Sequence, residues 1–155
     1  MSSAHEQSLI IVKPDAIQRN LLGEIITRFE KKGLKIIGLK MKHVEDIQWE
    51  EHYGHLKDKP FFAELKRFMS SAPVVLMAVE GVNAISAIRI IVGATMAFEA
   101  DAGSIRGDYA LGIESNVVHA SDSVENGKIE IERFFEQKEL VEYKKIDEEF
   151  VFAGM

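Results

Sequence analysis

The order of predicted strands and helices along the chain indicates an α+β sandwich, in which helices pack on one sheet. Short apolar runs rich in β-branched residues predict strands, and stretches with apolar side chains at helical spacing predict helices. The two kinds of segment do not alternate strictly, which argues against a doubly wound parallel sheet. The length of 155 residues is typical of one compact domain, so residues 1–155 are expected to form a single domain.

The amino-terminal segments predict two strands separated by a helix. Residues 8–12 form a β-branched apolar run that indicates a buried strand, and residues 13–15 close it with a polar turn. Leu22 to Lys32 carries apolar residues at helical spacing, and Gly33 stands where a helix ends. Leu34 to Val44 alternates imperfectly between apolar and polar residues and suits a second strand.

Two short helices are expected next. Asp46 can cap the first of them, which runs towards His55. Residues 61–69 repeat the amphipathic pattern after Pro60, a favoured residue at a helix start. His52 and His55 lie three positions apart on the first helix, but no third metal ligand is evident, and both are expected on the surface.

The middle of the chain predicts a central strand, a helix and a long loop. Pro73 to Glu80 is apolar at nearly every position, as expected of a strand covered on both faces. Gly81 and Asn83 then precede a helix whose apolar residues continue to Val92. Gly93 to Glu114 lacks periodicity, and a stretch of that length is usually functional.

The last third of the chain predicts one more strand and one more helix. Asn116 to His119 reads as a brief strand, and residues 121–125 begin like a capped helix with acidic residues in its first turn. Residues 129–132 alternate like a strand, but the phenylalanines that follow continue at helical spacing and favour a helix. The polar tail from Lys138 carries aromatic rings that suggest packing against the domain or a neighbour.

Composition and charge exclude several classes of protein. Without cysteine the chain can form no disulfide framework, thiolate nucleophile or zinc–thiolate site. The formal net charge of −6 would repel a nucleic-acid backbone, so no nucleic-acid binding is expected, although a local group of Arg and Lys could bind a small phosphorylated ligand. Met1 to Gln7 has no apolar signal core, and Ala72 to Val79 is too short to span a bilayer. No membrane association and a cytoplasmic location are therefore expected.

The residue that carries the strongest chemical signal is His119, which ends a predicted strand directly before the polar residues 121–123. Neither a Walker-type loop nor the Gly-x-Gly-x-x-Gly fingerprint is present. Because an unperturbed histidine has a pKa of about 6.5, it is largely neutral at cytosolic pH and can attack phosphorus without a separate base. Transfer through a phosphohistidine predicts ping-pong kinetics.

Residues 116–123 read Asn-Val-Val-His-Ala-Ser-Asp-Ser and closely resemble the signature of nucleoside diphosphate kinases. Further blocks similar to that family follow its order along almost the whole chain, at residues 12–15, 18–19, 52–53, 59–62, 93–95 and 103–108. The resemblance implies a ferredoxin-like sandwich with a four-stranded antiparallel sheet. It implies transfer of the terminal phosphate of ATP to a nucleoside diphosphate, and a homo-oligomer that is either a hexamer or a tetramer.

The resemblance also implies a role for each of ten residues. His119 matches the phosphorylated nucleophile, and Glu130 matches a carboxylate that holds the other imidazole nitrogen. Tyr53 and Ser121 match supporting positions beside this histidine. The residues expected to bind the nucleotide are Lys13, Phe61, Arg89, Thr95, Arg106 and Asn116. Mg²⁺ is expected on the nucleotide's phosphates rather than in a protein cage, so no protein metal site is expected.

Two departures from the family pattern leave other functions open. Residues 95–97 read Thr-Met-Ala where the family usually has Thr-Asn-Pro, and Ala120 replaces the commoner Gly after the histidine, which removes easy access to positive φ. One alternative is a regulatory or scaffold protein that binds nucleotides without turnover. Another is a histidine phosphocarrier, which would not need Arg89, Thr95 and Arg106.

Overall fold

The structure is a computed structural model that describes residues 5–155, so residues 1–4 of the polar stretch Met1 to Gln7 lie outside the described part. In chain order the elements are β1 (His5–Val12), α1 (Pro14–Gln18), α2 (Leu22–Lys32), β2 (Lys35–Lys42), α3 (Asp46–His52), α4 (Phe62–Met69), β3 (Val74–Val82), α5 (Ala84–Val92), α6 (Ile105–Tyr109), β4 (Val118–Ala120), α7 (Val124–Phe134) and α8 (Glu148–Val151). Short 3-10 helices occur at Gly54–Leu56, Ala97–Glu99 and Gln137–Glu139. Among residues 5–155, every helix is too short or too polar to cross a membrane.

The four strands form one antiparallel sheet in the order β2-β3-β1-β4. Strand β1 lies inside this sheet and pairs with β3 along its whole length, from His5 opposite Val82 to Val12 opposite Val75. On its other side β1 pairs with the short edge strand β4, where Ile11 faces His119. The predicted α+β sandwich with an antiparallel sheet is confirmed, and the sheet brings His119 to the end of β1.

Helices cover both faces of the sheet, which explains why the inner strands are apolar on both sides. Successive residues of a strand point to opposite faces. Ile10 therefore packs with Phe29 of α2 in one buried cluster, while Ile11 packs with Trp49 of α3 and Phe134 of α7 in the other. Strand β1 is thus held from both sides, and its carboxyl end is a rigid support for the residues that follow.

Several predicted boundaries are confirmed by local capping. Helix α2 spans Leu22–Lys32, and Gly33 ends it in the left-handed conformation at φ 99°. Ser123 caps α7, because its hydroxyl accepts a hydrogen bond from the backbone N–H of Asn126 at 3.0 Å. Residues 129–134 are helical, so the helical spacing outweighed the local alternation.

Other boundary predictions were wrong. Asp46 is the first helical residue rather than the cap; Glu45 holds the cap position with an extended backbone, and α3 ends at His52, before a separate 3-10 helix. The predicted loop from Gly93 to Glu114 contains α6, which is too short to show a helical repeat. Strand β4 begins at Val118 rather than at residue 116, because Val117 adopts φ 64° and cannot continue a strand.

The aromatic rings of the tail divide into two groups. Tyr143 donates a hydrogen bond from its hydroxyl to the carbonyl of Ile36 at 2.6 Å, and the ring of Phe152 lies 5.9 Å from that of His5. These rings pack against the domain, as the sequence suggested. The side chain of Phe150 is 83% exposed.

Gly127 lets α7 pack closely against β1. A Cβ atom built on this residue would overlap the carbonyl oxygen of Gln7 in strand β1. The backbone of Gln7 cannot retreat easily, because Gln7 is paired with Glu80 of β3. The glycine therefore sets the distance between the sheet and the helix that carries Glu130.

We expect Gly127→Ala to lower the free energy of unfolding by roughly 1–3 kcal/mol, the usual effect of forcing extra volume into a packed site. Gly23→Ala is the matched control, because its Cβ would meet nothing within 4 Å inside α2. That change should stabilise by about 0.5–1 kcal/mol through helix propensity. Urea unfolding of both variants measures the difference, and equal stabilisation by the two alanines would refute the close approach of α7.

Candidate active site

Nine of the ten residues singled out in the sequence surround one cavity of about 1120 Å³. They are Lys13, Tyr53, Phe61, Arg89, Thr95, Arg106, Asn116, His119 and Glu130. The tenth, Ser121, is fully buried and contacts Glu130 beside the cavity. The cavity is also lined by residues that received no role from the sequence, among them His52, Asp122 and Arg133.

The imidazole of His119 is oriented by Glu130 of α7. Its Nε2 lies 3.1 Å from both carboxylate oxygens. An ionised carboxylate only accepts hydrogen bonds, so Nε2 carries the proton and donates it. In the neutral ring the lone pair is then on Nδ1. The arrangement leaves one nitrogen of His119 with the electron pair that a nucleophile needs.

Ser121 keeps the Glu130 carboxylate in place and ionised. Its hydroxyl donates to Oε1 of Glu130 at 2.5 Å and accepts a hydrogen bond from the backbone N–H of Leu9 at 3.0 Å. The second bond ties Ser121, which follows β4, to strand β1. Burial raises the pKa of Glu130, but hydrogen bonds from His119 and Ser121 oppose it, and the net pKa lies below the usual value. The carboxylate is therefore charged at neutral pH and available to His119.

Tyr53 lines the cavity beside these groups, with its ring edge-on to His52 at a centroid distance of 4.7 Å. Burial raises the pKa of its phenol strongly, and the negative charge of Glu130 raises it further. Tyr53 therefore keeps its proton and can serve as a hydrogen-bond donor.

A buried chain of polar contacts joins the end of β1 to the loop after α5. The Nζ of Lys13 donates to Oδ1 of Asn116 at 2.7 Å and to the carbonyl of Glu114 at 3.3 Å. The amide of Asn116 donates in turn to the carbonyl of Thr95 at 3.1 Å. Burial, followed by the charge of Arg106, lowers the pKa of Lys13 to about 8, against the opposing effects of Asp15 and Glu114.

Arg106 is both a wall of the cavity and a connector of the backbone. Its guanidinium donates to three carbonyl oxygens, those of Gly93 at 3.0 Å, Asn116 at 3.3 Å and Val118 at 2.6 Å. Burial lowers its pKa to about 10, with Arg89 as the second cause. A guanidinium has about five N–H donors, so those not engaged by the backbone can still reach a ligand.

Arg89 and Phe61 form more exposed parts of the wall. Arg89 points from α5 towards β4, where its guanidinium donates to the carbonyl of Ala120 at 3.4 Å. Phe61 precedes α4 and is 43% exposed, so its ring can offer a flat face to a ligand.

The backbone at Val117 is strained. A positive φ of 64° is rare for a β-branched residue and marks a site that the surrounding structure imposes. Here the carboxylate of Asp15 accepts a hydrogen bond from the N–H of Val117 at 3.1 Å, and the carbonyl of Val117 accepts one from the N–H of Lys13 at 3.0 Å. Sequence reasoning gave no role to Asp15, although it lies in the block at residues 12–15.

The two departures from the family pattern fit this geometry. The positive φ lies at Val117 and not at Ala120, which is buried and part of β4, so the backbone at residue 120 does not need the conformational freedom of a glycine. Thr95 still faces the cavity, and Ala97 is buried at the start of a 3-10 helix. Neither substitution displaces Asn116 from its contact with Thr95.

His52 was expected on the surface, and that prediction was wrong. It is only 5% exposed, and its ring lies edge-on to that of His119 at 4.8 Å. Its position three residues after the buried Trp49 is the signal that could have placed it on the inner face of α3. Ligand atoms of His52, His119 and Glu130 lie within 4.8 Å of one another, but Arg133 donates to Nδ1 of His52 at 2.9 Å, and its positive charge opposes a metal ion there.

Comparisons with known proteins match almost the whole chain. The family model described as nucleoside diphosphate kinase matches residues 6–140. The chain is 49% identical to the nucleoside diphosphate kinase of Parabacteroides distasonis over 139 residues, which cover 90% of this chain and 91% of that protein. It is 47% identical to that of Archaeoglobus fulgidus over 147 residues, covering 95% and 97%.

The fold is also similar to that of a solved structure. A halophilic nucleoside diphosphate kinase from Halobacterium salinarum, in complex with CDP, superimposes with a TM-score of 0.93 at 40% identity. The match covers 96% of this chain and 99% of that chain.

The lowered pKa of Lys13 predicts proton uptake when an anionic nucleotide binds. With a pKa of about 8, Lys13 is charged below that pH and increasingly neutral above it. A bound phosphate favours the charged form, so ADP binding at about pH 8.5 should draw a proton onto Lys13. Calorimetry in buffers of different ionisation enthalpy measures this uptake.

Lys13→Arg is the control, because arginine stays charged throughout this range. Its binding heat should not depend on the buffer at about pH 8.5. A wild-type protein whose binding heat is equally independent of the buffer would show that the pKa of Lys13 is not lowered.

Proposed function

The chain belongs to the nucleoside diphosphate kinase family, and we propose that His119 carries the phosphoryl group between its two nucleotides. The family reaction transfers the terminal phosphate of a nucleoside triphosphate to a nucleoside diphosphate. The observation that supports His119 is its Nε2 contact with Glu130 at 3.1 Å, which leaves the lone pair on Nδ1.

The proposed reaction has two half-reactions that mirror each other. Nδ1 of His119 attacks the terminal phosphorus, an N–P bond forms, and the bond from phosphorus to the bridging oxygen breaks to release the diphosphate. Glu130 holds the Nε2 proton and stabilises the positive charge that develops on the ring. A second diphosphate then attacks the same phosphorus and regenerates His119.

The cations of the cavity would bind and polarise the phosphates. Phosphoryl transfer spreads negative charge over the equatorial oxygens, so fixed positive groups lower its barrier. We assign this role to Arg89 and Arg106, with Thr95 as a neutral donor. Lys13 and Asn116, joined at 2.7 Å, would contact the sugar hydroxyl and the transferring group.

Base recognition is assigned to the exposed ring of Phe61. Stacking on an aromatic face does not depend on the hydrogen-bonding pattern of a base, so the site should accept ATP and other nucleoside di- and triphosphates. The CDP that occupies the Halobacterium salinarum relative supports nucleotide binding by this fold.

Mg²⁺ is the proposed cofactor and would arrive with the nucleotide. The buried part of the wall carries Lys13 and Arg106, which suit phosphate oxygens and not a bare divalent ion. Asp122 is an exposed carboxylate on the same wall and can contact the ion's water shell. When bound, Mg²⁺ neutralises charge on the phosphates.

We propose that the chain forms a homo-oligomer, either a hexamer or a tetramer. Strand β2 lies at the edge of the sheet and carries Leu39 and Met41, which are 53% and 55% exposed. Ile146 and Phe150 of the tail are 98% and 83% exposed. Large exposed apolar side chains of this kind are typical of surfaces that a second subunit covers. Light scattering measures the mass.

The phosphohistidine is tested directly by incubation with labelled ATP and Mg²⁺. The wild-type protein should form a phosphoenzyme that is labile in acid and stable in base, and should then transfer the label to an unlike diphosphate. His119→Ala should lower transfer by at least about 10⁴-fold, because the covalent route is lost. Full transfer by this variant would exclude His119 as the nucleophile.

Arg89→Ala separates the kinase from the two alternatives. A kinase should lose roughly 10²-fold or more in kcat/KM, because a donor to the phosphates is removed. A phosphocarrier that receives phosphate from a protein should be almost unaffected, and a nucleotide-binding scaffold should show no turnover in the wild type. Arg67→Ala is the matched control, since Arg67 is 75% exposed on α4 and lies outside the cavity.

A further inference from the structure

His52 is a buried imidazole that the proposed transfer does not use. Its ring packs among Trp49, Tyr53 and Phe134, and it meets His119 edge-on at 4.8 Å with an interplanar angle of 83°. It therefore forms the wall against which the nucleophile's ring rests. The protonation state of His52, and whether its proton lies on Nδ1 or on Nε2, affects the groups around His119.

Arg133 fixes that proton. Its Nη1 lies 2.9 Å from Nδ1 of His52. A guanidinium is always charged and can only donate, so Nδ1 must accept with its lone pair. A neutral His52 then carries its single proton on Nε2. The contact joins α3 to α7, one turn beyond Glu130 on the same helix.

The same nitrogen of His52 lies near the carboxylate that orients the nucleophile. Nδ1 is 4.0 Å from Oε2 of Glu130, while Nε2 of His119 is 3.1 Å from that oxygen. If Nδ1 carried a proton, a small rotation of the ring would let it donate to Glu130. His52 and His119 would then compete for one carboxylate, and the share of Glu130 available to His119 would fall.

We propose that Arg133 is a positioning residue that holds His52 as the neutral Nε2–H tautomer and thereby reserves Glu130 for His119. The role rests on the proposed function of His119, but the contact itself does not. Arg133 acts through His52 and needs no contact with the nucleotide.

The charges that face His52 support a neutral ring. The pKa of His52 is lowered to about 3, mainly by burial. The neighbouring His119, Arg133 and His55 lower it as well, and Glu130 opposes them. Removal of Arg133 takes away one charge that lowers this pKa and leaves Glu130, which raises it. The groups to be followed in any titration are His119 of β4, Glu130 and Arg133 of α7, and Glu51, Tyr53 and His55 beside His52.

The tautomer is tested first, by long-range ¹H–¹⁵N correlation spectra of the free protein. The wild type should show His52 with its proton on Nε2 down to about pH 5. In Arg133→Met the ring should move to the Nδ1–H form or become protonated within the titration range, whereas Arg133→Lys, which keeps a charged donor, should retain the wild-type pattern. A wild-type His52 with its proton on Nδ1 would overturn the proposal, whether or not the protein is active.

The kinetic test follows phosphoenzyme formation against pH. Arg133→Met should lower its rate roughly 10-fold, as the loss of a partner that orients a functional imidazole commonly does, and the loss should deepen as pH falls. In a His52→Phe background the same change should have little further effect, because the group on which Arg133 acts is gone. An equal loss in both backgrounds would mean that Arg133 contacts the nucleotide directly and would refute the proposal.

Glu51→Gln is the matched control. Glu51 is the other partner of Arg133, at 3.6 Å, and is 64% exposed. Its removal should leave the tautomer of His52 and the pH profile unchanged. A shift as large as that of Arg133→Met would show that the Glu51 pair, and not the His52 contact, carries the effect. Absence of any phosphoenzyme in the wild type would contradict the proposed function of His119 and leave the tautomer test in force.

Discussion

The buried guanidinium of Arg106 joins the backbone at the end of α5 to the backbone at the start of β4, and the shape of the cavity depends on it. Its hydrogen bonds reach Gly93 at the end of α5, Asn116 before β4, and Val118 within β4. Carbonyl oxygens accept hydrogen bonds from three of its N–H groups but do not cancel its charge. Burial lowers the pKa of both Lys13 and Arg106, and the neighbouring charge adds to it in each case, that of Arg106 on Lys13 and that of Arg89 on Arg106. The cavity therefore holds cations that repel one another until an anion enters, which is the electrostatic condition that favours a phosphorylated ligand.

His119, the proposed nucleophile, is placed by a second set of contacts, on the opposite side of β4. The short strand can hold His119 because β1 pairs with it and α7 lies close enough for Glu130 to reach the ring. Gly127 sets that distance, since any side chain there would meet the backbone of β1. Arg133 extends the same arrangement to His52, so one helix supplies the carboxylate and the group that protects it from competition. The contact of α7 with β1 at Gly127 thus determines where Glu130 lies, which tautomer His119 adopts and which of its nitrogens keeps a lone pair.

Most of the fold could be predicted from the sequence, because periodicity and capping residues are local signals. The helix at Leu22–Lys32 and its end at Gly33 are examples. The start of β4 could not be predicted from the sequence, because the positive φ of Val117 is imposed by Asp15, about one hundred residues earlier. The cavity's residues were identified through ordered motifs, not through any local pattern. The contact between His52 and Arg133 was not predicted. The two residues are far apart in the sequence, and they meet only because α3 packs against α7.

In the proposed mechanism Glu130 holds Nε2 of His119, which leaves Nδ1 to react. Identification of the phosphorylated nitrogen, by ³¹P–¹⁵N coupling in a phosphoenzyme made with ¹⁵N-labelled histidine, tests this directly. Phosphorus bonded to Nδ1, with Nε2 still protonated and facing the carboxylate, is the predicted result. Phosphorus bonded to Nε2 would mean that the contact with Glu130 breaks before transfer, and it would contradict the arrangement of the site described above.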